Sequence, residues 1–362
     1  KQLKINGKGK LFFQDDSDEI SYNIIKKKDI YNFETNFNIL KNKLLINYLK
    51  YEKKKNSKAV LNIRGNYVKN NQIKFDSISL KEDENEFLIS NLSLNDEFKI
   101  SKIDSIKVRF LNKDKITNKI ELINKNNNYI LRGSSLDASK IIDKIIDTDE
   151  EIGISKILNI KNTKINIDIQ KVYLDNENLV NKFKGEIDLK NNKIKSVNLD
   201  SSFSQNEKLT LTIKDIDGEK VTTLFSSRAK PLVKRYKFIK GFEEGSLDFY
   251  STKKNNLSKS QIKIYDFKLQ KLPVLTKILT LASMQGIADL LSGQGIRFNE
   301  FEMNFNNKGN LMTIEEIYAL GPAISILMEG YIEKDQLISL RGTLVPATTI
   351  NKAIGSIPIL GD

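Results

Sequence analysis

Along most of this 362-residue chain the apolar residues fall at every second position, segment after segment, with Asn, Asp, Gly and Lys in the gaps. A period of two is the signature of strands that bury one side only. In AVLNIRGNYV, Leu61 and Ile63 oppose Val60, Asn62 and Arg64, and in KIDSIKVRFL, Ile106, Val108 and Phe110 share a face. KINIDIQKVYL sets Ile165, Ile167 and Ile169 against Asn166 and Asp168, and KLTLTIKD sets Leu209, Leu211 and Ile213 against Thr210 and Thr212. RFNEFEMNF aligns Phe301, Met303 and Phe305, and ISILMEGYI aligns Ile324, Ile326 and Met328. Such faces are worth several kcal/mol per strand at about 25 cal/mol per Å². Strands with one apolar side need a second layer, a closed barrel or a ligand to cover it. Two architectures satisfy that need: a β-sandwich with an ordinary core, or a curved sheet whose concave apolar face holds acyl chains. Periodicity does not separate them, because both bury the same alternate residues.

The period changes in three places. LDASKIIDKIID predicts a short helix, with Asp137 at its N-cap and Ile141, Ile142, Ile145 and Ile146 as a stripe. A second short helix is expected over 219–229, its apolar side being Val221, Leu224 and Phe225, with Pro231 stopping it. The third break is LPVLTKILTLASMQGIADLLSGQGI at 272–296, whose only charges are Lys277 and Asp289. Leu275, Ile278, Leu279 and Ala282 fall at i, i+3, i+4 and i+7, and Ile287, Leu290 and Leu291 begin a second stripe beyond Gly286. The segment reads as one broken helix or two short ones, ending at a Gly293-Gln294-Gly295 C-cap. In a sheet protein such a segment makes a lid, a plug or a docking surface. Ile350, Ile354 and Ile357 in the tail also stand at near-helical spacing.

Most familiar enzyme chemistry is closed to this chain. It has no His, no Cys and no Trp, which removes imidazole bases, thiolate nucleophiles and Cys/His metal sites. Carboxylate pairs occur at Glu150-Glu151, Glu243-Glu244 and Glu315-Glu316, but neighbours on a strand point to opposite faces. Gly7-Lys8-Gly9-Lys10 lacks the spacing and Ser/Thr of a phosphate loop and reads as a hairpin turn. No cofactor is expected, and the reading is non-enzymatic. The net charge of +13 raises nucleic acid or anionic lipid as partners. Runs such as Lys26-Lys27-Lys28 and Lys53-Lys54-Lys55 lack the aromatic interleaving of single-strand binding, so they read as solvated strand ends, without nucleic acid. No run reaches the roughly 18–20 apolar residues that span a bilayer. The opening KQLKINGKGKLFF reads as the middle of a strand meander with no signal-peptide core, and the chain is expected to be part of a longer one.

No exact internal repeat is present, but strand meanders alternate with short helices near 137, 220 and 275. This divides the chain into a meander over 1–135, a unit with short helices over 136–240, and a C-terminal region over 241–362. That last region carries a distinctive order: GSLDF at 245–249, then a Leu-Pro step and the apolar helix within 264–305, Gly-x-Gly-Ile-x-Phe, ALGPAISILMEGYI at 319–332, and LRGTLVPATTINKAIGSIPILGD at 340–362. A weaker echo, ILRGSSLDASKIIDKI, lies at 130–145. In these features the chain resembles the AsmA-like superfamily, and within it the YhdP-type branch of alphaproteobacteria. The resemblance implies a mainly β fold: an elongated, twisted, antiparallel repeating β-groove, an open gutter with a few short amphipathic helices. It implies a periplasmic protein anchored in the inner membrane that carries phospholipid toward the outer membrane in outer-membrane biogenesis and barrier maintenance. Partners would be phospholipids, the membrane, and membrane proteins at the ends. The groove lining would be Ile106, Val108 and Phe110, Ile165, Ile167 and Ile169, Leu209, Leu211 and Ile213, Phe301, Met303 and Phe305, and Ile324, Ile326 and Met328, and Leu275, Ile278, Leu279, Ala282, Ile287, Leu290 and Leu291 would meet membrane or partner. The alternative is a periplasmic structural or regulatory scaffold with a closed β core and no lipid cargo.

Overall fold

A computed structural model describes residues 2–13, 16–69, 71–141, 162–191, 193–233, 241–270, 295–333 and 337–346. Strands account for 76% of it and helices for 4%, so the fold is mainly β. The first meander comprises β1 (Gln2–Phe13), β2 (Asp16–Lys27), β3 (Ile30–Ile39), β4 (Leu44–Ile46), β5 (Tyr51–Lys53), β6 (Ala59–Val68), β7 (Gln72–Glu82) and β8 (Asn85–Leu94). It continues through β9 (Ile100–Lys102), β10 (Ser105–Leu111), β11 (Thr117–Lys125), β12 (Asn128–Asp137), β13 (Asn162–Tyr173), β14 (Leu179–Lys190) and β15 (Lys193–Ser202). The remainder is β16 (Lys208–Ile216), β17 (Glu219–Ser226), helix α1 (Lys230–Val233), β18 (Phe242–Lys254), β19 (Leu257–Leu269), β20 (Ile296–Lys308), β21 (Leu311–Leu320), β22 (Ile324–Glu333) and β23 (Leu337–Pro346).

Twenty-one of these strands form one mixed sheet that does not close into a barrel, and β4 and β5 form a separate two-stranded sheet. Two compact units divide the chain, residues 1–199 and 200–362. Short Asn- and Lys-rich turns join the hairpins. Asn126 and Asn127 both take positive φ between β11 and β12, as a tight primed turn requires, and Asn191 does so after β14.

Four expectations change. The sheet is not wholly antiparallel: β12 and β13 run parallel, with Leu131 beside Ile167. β13 therefore starts at the same end of the sheet as β12, as a parallel pair demands. Residues 219–226 are strand β17, not a helix, because Val221, Thr222 and Thr223 are β-branched and pair with β16 and β18 on both sides. The helix that does follow begins one residue before Pro231, whose missing N–H costs nothing in a first turn. Gly7-Lys8-Gly9-Lys10 is the middle of β1, with Gly7 opposite Tyr22 and Gly9 opposite Ile20. A Cβ at Gly7 would stand 2.4 Å from the tip of the Tyr22 ring, so the glycine makes room for the aromatic instead of turning the chain.

The helix expected after Asp137 starts where the sequence places it. Ser139, Lys140 and Ile141 are helical, and the Ser139 N–H and hydroxyl both donate to Asp137 Oδ1, at 3.0 and 2.6 Å. Ile142, Ile145 and Ile146 lie outside the described residues. So do the predicted helix residues Leu275, Ile278, Leu279, Ala282, Ile287, Leu290 and Leu291, and the tail residues Ile350, Ile354 and Ile357.

A candidate apolar binding face

Register decides which residues meet on each side of the sheet. In the first unit an unbroken line of pairings crosses ten strands: Ile20, Phe37, Leu61, Leu80, Phe87, Val108, Ile120, Gly133, Ile169 and Phe183. The next line along the strands is Tyr22, Thr35, Ile63, Ile78, Ile89, Ile106, Leu122, Leu131, Ile167 and Gly185. Neither contains a charged residue. The second unit repeats the arrangement in the line Leu211, Leu224, Phe249, Ile262, Met303, Ile317, Met328 and Gly342, flanked by Leu247, Ile264, Phe301, Ala319, Ile326 and Leu344.

The opposite face is polar and laterally neutralised. Lys107, Glu121, Arg132, Asp168 and Lys184 are successive cross-strand neighbours of alternating sign. Glu121 accepts from Lys107 at 2.8 Å and from Arg132 at 2.7 Å, and Lys184 approaches Asp168 at 3.4 Å. The lysine and arginine hydrogen bonds hold the Glu121 carboxyl below its ordinary range. In the second unit, Lys263 reaches Glu302 at 3.0 Å, and Arg341 reaches Glu329 at 2.6 Å. Two open depressions lie on this polar side, one of about 510 Å³ bordered by Asn6, Lys8, Ser21, Asn36 and Asn62, the other of about 210 Å³ bordered by Thr210, Asp248, Tyr250 and Lys263. Neither belongs to the apolar face.

Coverage of the apolar face is uneven. At one strand end of the first unit the β4–β5 hairpin lies over it. Tyr51, 1% exposed, stands edge-on to Phe87 and Phe110 with ring centroids 4.7 and 5.7 Å away. Leu44, Ile46 and Leu49 join the cluster formed with Phe37, Ile39, Ala59, Leu80, Val108 and Phe110. Polar contacts pin the hairpin down. The Tyr51 hydroxyl donates to Glu82 Oε2 at 2.6 Å, and burial together with that carboxylate raises the phenol's pKa well above its usual value. Lys53, expected from the sequence to lie in a solvated strand end, is instead fully buried at 0% exposure, because its Nζ donates to the carbonyls of Leu40 (3.0 Å) and Asn42 (2.6 Å). Burial lowers its pKa, against the pull of Asp18 and Glu82. Asp18 accepts from the N–H groups of Leu40, Lys41 and Asn42 and from Asn42 Nδ2, at 2.8–3.0 Å. Burial alone would raise that carboxyl, but the four donors outweigh it and bring the pKa down to about 2. Lys50 pairs with Asp114 at 2.7 Å and with Asp137 at 3.1 Å.

Away from the hairpin the same face carries a smaller buried cluster, Leu92, Ile103 and Tyr129, in which Ile103 comes from the β9–β10 connection. Ile63, Ile78, Ile89, Ile106, Leu122 and Leu131 are all half-buried, each shielded chiefly by its neighbours along and across the strands. Of the fifteen lining residues that the sequence nominates, Val108, Phe110, Ile167, Ile169, Leu209, Met303, Phe305 and Ile324 are buried, while Ile106, Ile165, Leu211, Ile213, Phe301, Ile326 and Met328 are half-buried. Within each unit the register brings them to one face; Val108 and Phe110 belong to the buried cluster under the hairpin, and Ile106 packs against it. Asn166 and Asp168 point to the solvated side.

Sequence reasoning missed two features. The hairpin residues Tyr51 and Lys53 carry no motif, since three-residue strands are too short to show a period. The strand glycines are the second. Gly65, Gly133, Gly185, Gly330 and Gly342 all occupy apolar-face positions, and a Cβ at any of them would fall 1.9–2.4 Å from a carbonyl oxygen of the adjacent strand. Glycine at an apolar parity is the signal that would have found them.

The carboxylate pairs are dispersed. Glu243 is held by Lys230 at 2.5 Å and Glu244 by Lys268 at 2.6 Å, and Glu150-Glu151 lies outside the described residues. No cluster of three or more metal-ligating side chains occurs among the described residues. The chain's sequence and fold stand by themselves: no family model, no curated protein and no solved structure matches them.

Proposed function

We propose that this chain is a non-enzymatic lipid carrier in which phospholipid acyl chains complete the apolar face that the polypeptide leaves half-covered. The observation that carries this reading is the register. Two uncharged lines run side by side across ten strands of the first unit, while the other face of the same strands is a ladder of paired charges. A surface of this kind binds hydrocarbon without direction, so a chain slides between equivalent positions at little cost.

Curvature follows from the glycines. Where glycines remove side chains from one face on several strands, as on β6, β12, β14, β22 and β23, and bulges interrupt the pairing at Lys119/Ile120, Arg64/Gly65 and Ile314/Ile317, a sheet bends toward the deleted side. The apolar face is then the inside of a twisted gutter. Following the resemblance in the C-terminal sequence to the AsmA-like, YhdP-type proteins, the gutter would stand in the periplasm, anchored in the inner membrane, and pass phospholipid between inner and outer membranes. Membrane proteins would meet it at its ends, and nucleic acid would have no role.

The rival is a periplasmic scaffold with a closed core, favoured by the complete burial of Ile169, Phe298 and Ile324. Transfer of labelled phospholipid from donor to acceptor vesicles separates the two. The carrier reading expects transfer that rises with protein concentration and drops when Ile106 and Leu122 are both changed to Glu. Lipid exchange at the protein-free rate, with the chain folded, would leave the scaffold.

A further inference from the structure

The apolar face of the first unit ends in two different ways. One strand end is sealed by the Tyr51 hairpin; the other closes on Leu92, Ile103 and Tyr129 over β8 to β12, while on β2, β3 and β6 the last residues of the same face are Lys26, Tyr31 and Tyr67, paired in one line. Lys26 Nζ stands 5.1 Å from the centre of the Tyr31 ring, and the two tyrosine rings lie 5.9 Å apart at 37°. Neither phenol hydroxyl nor the Lys26 ammonium has a hydrogen-bond or ion-pair partner among the described residues. The adjoining turns add Lys27, Lys28 and Lys69 against Asp29 alone. A lysine serving solubility would occupy the solvated parity, as Lys27 does. Lys26 instead follows Ile20, Tyr22 and Ile24 on the apolar side and is half-buried.

Inward from this rim come Ile24 and Phe33, then Tyr22, Ile63 and Ile78, then Phe37 and Leu80 beneath the hairpin. The six-residue step from Tyr31 to Phe37 spans about 20 Å at the strand rise, the length of a long acyl chain. An apolar floor leading to phenol rings and then to ammonium groups is the order in which an amphiphile meets a membrane boundary. The free donors suit phosphate oxygens, since charge-assisted bonds to an ammonium are the strong ones.

We propose that the first unit holds a phosphate-bearing, long-chain amphiphile in one orientation: phosphate on Lys26, Tyr31 and Tyr67, acyl chain along the strands, methyl end against Tyr51 and Phe87. This rests on the lipid-carrier reading and adds to it a fixed direction and an anionic headgroup site.

The chain has no tryptophan, so a single introduced one reports alone. The full chain carrying either Phe33→Trp or Ile20→Trp, with Phe37→Trp as a second probe of the closed end should Ile20→Trp misfold, would be loaded with phosphatidylglycerol brominated near the glycerol or near the chain methyl. Bromine near the glycerol should quench the tryptophan at position 33 more strongly, and bromine near the methyl the one at position 20 or 37. Lys26→Glu should weaken phosphatidylglycerol binding by about tenfold while sparing diacylglycerol. Equal quenching of both probes by both lipids overturns the orientation and leaves the carrier intact. Displacement by inorganic phosphate at matched concentration overturns the headgroup assignment. Folded variants that no brominated lipid quenches would refute the carrier reading itself.

Discussion

At the Tyr51 end of the first unit, apolar side chains on the sheet reach full burial because a ten-residue excursion folds back over them; a few residues along the same strands, Ile63, Ile78, Ile89 and Ile106 stay half-buried. The strands, the register and the residue types are the same in both places, so the difference comes from the cover alone. The hairpin needs a dense set of polar contacts to stay, with Lys53, Asp18, Tyr51 and Lys50 each satisfied by specific partners. Covering an apolar face from a loop is therefore costly in sequence. The open stretch has no such contacts, as expected if its cover is a mobile, apolar ligand.

The contrast can be broken by mutation. Tyr51→Ala removes an aromatic side chain that touches Phe87 and Phe110 and one of the three hydrogen bonds to the Glu82 carboxylate, leaving those from Ser57 and Asn85, and should cost about 3–5 kcal/mol in urea unfolding of the first unit. Acid should loosen the same end. The Asp18 carboxyl has a folded pKa of about 2, against roughly 3.9 in an unfolded chain. Its contribution of about 2 kcal/mol is present above pH 4 and is lost as the pH falls through 2. Asp18→Asn should flatten that acid limb of stability. In the open stretch Ile63→Ala should cost only about 1 kcal/mol in lipid-free protein, less than the usual range for a fully buried isoleucine. An Ile63→Ala cost equal to that of Tyr51→Ala would mean that the stretch is as tightly covered as the hairpin end. Glu121→Gln, on the charge ladder, should change stability by less than about 1 kcal/mol and only at low salt.

Much of the fold was legible. Periodicity located β6, β10, β13, β16, β20 and β22, and alternation placed Ile165, Ile167 and Ile169 on one face because the strand period is strict. It failed where two signals overlapped: Val221, Leu224 and Phe225 fit a helical spacing, yet the β-branched Val221-Thr222-Thr223 run and two waiting neighbours made a strand. Gly7 and Gly9 were taken for a turn because a single sequence does not show that Tyr22 lies across them. The parallel β12–β13 pair was invisible, since local alternation is the same in parallel and antiparallel strands. For the candidate site, the chain revealed which residues share a face but not which part of it is covered, because Tyr51 and Lys53 act through contacts made only after the sheet forms.

The most direct test is the amount of phospholipid that stays with the purified full chain, extracted into organic solvent and quantified by mass spectrometry. The account predicts bound phospholipid in stoichiometric amount for the unaltered protein and its loss in a folded Ile78→Glu/Ile106→Glu variant. A lipid-free protein, equally stable with and without added phospholipid, would contradict it.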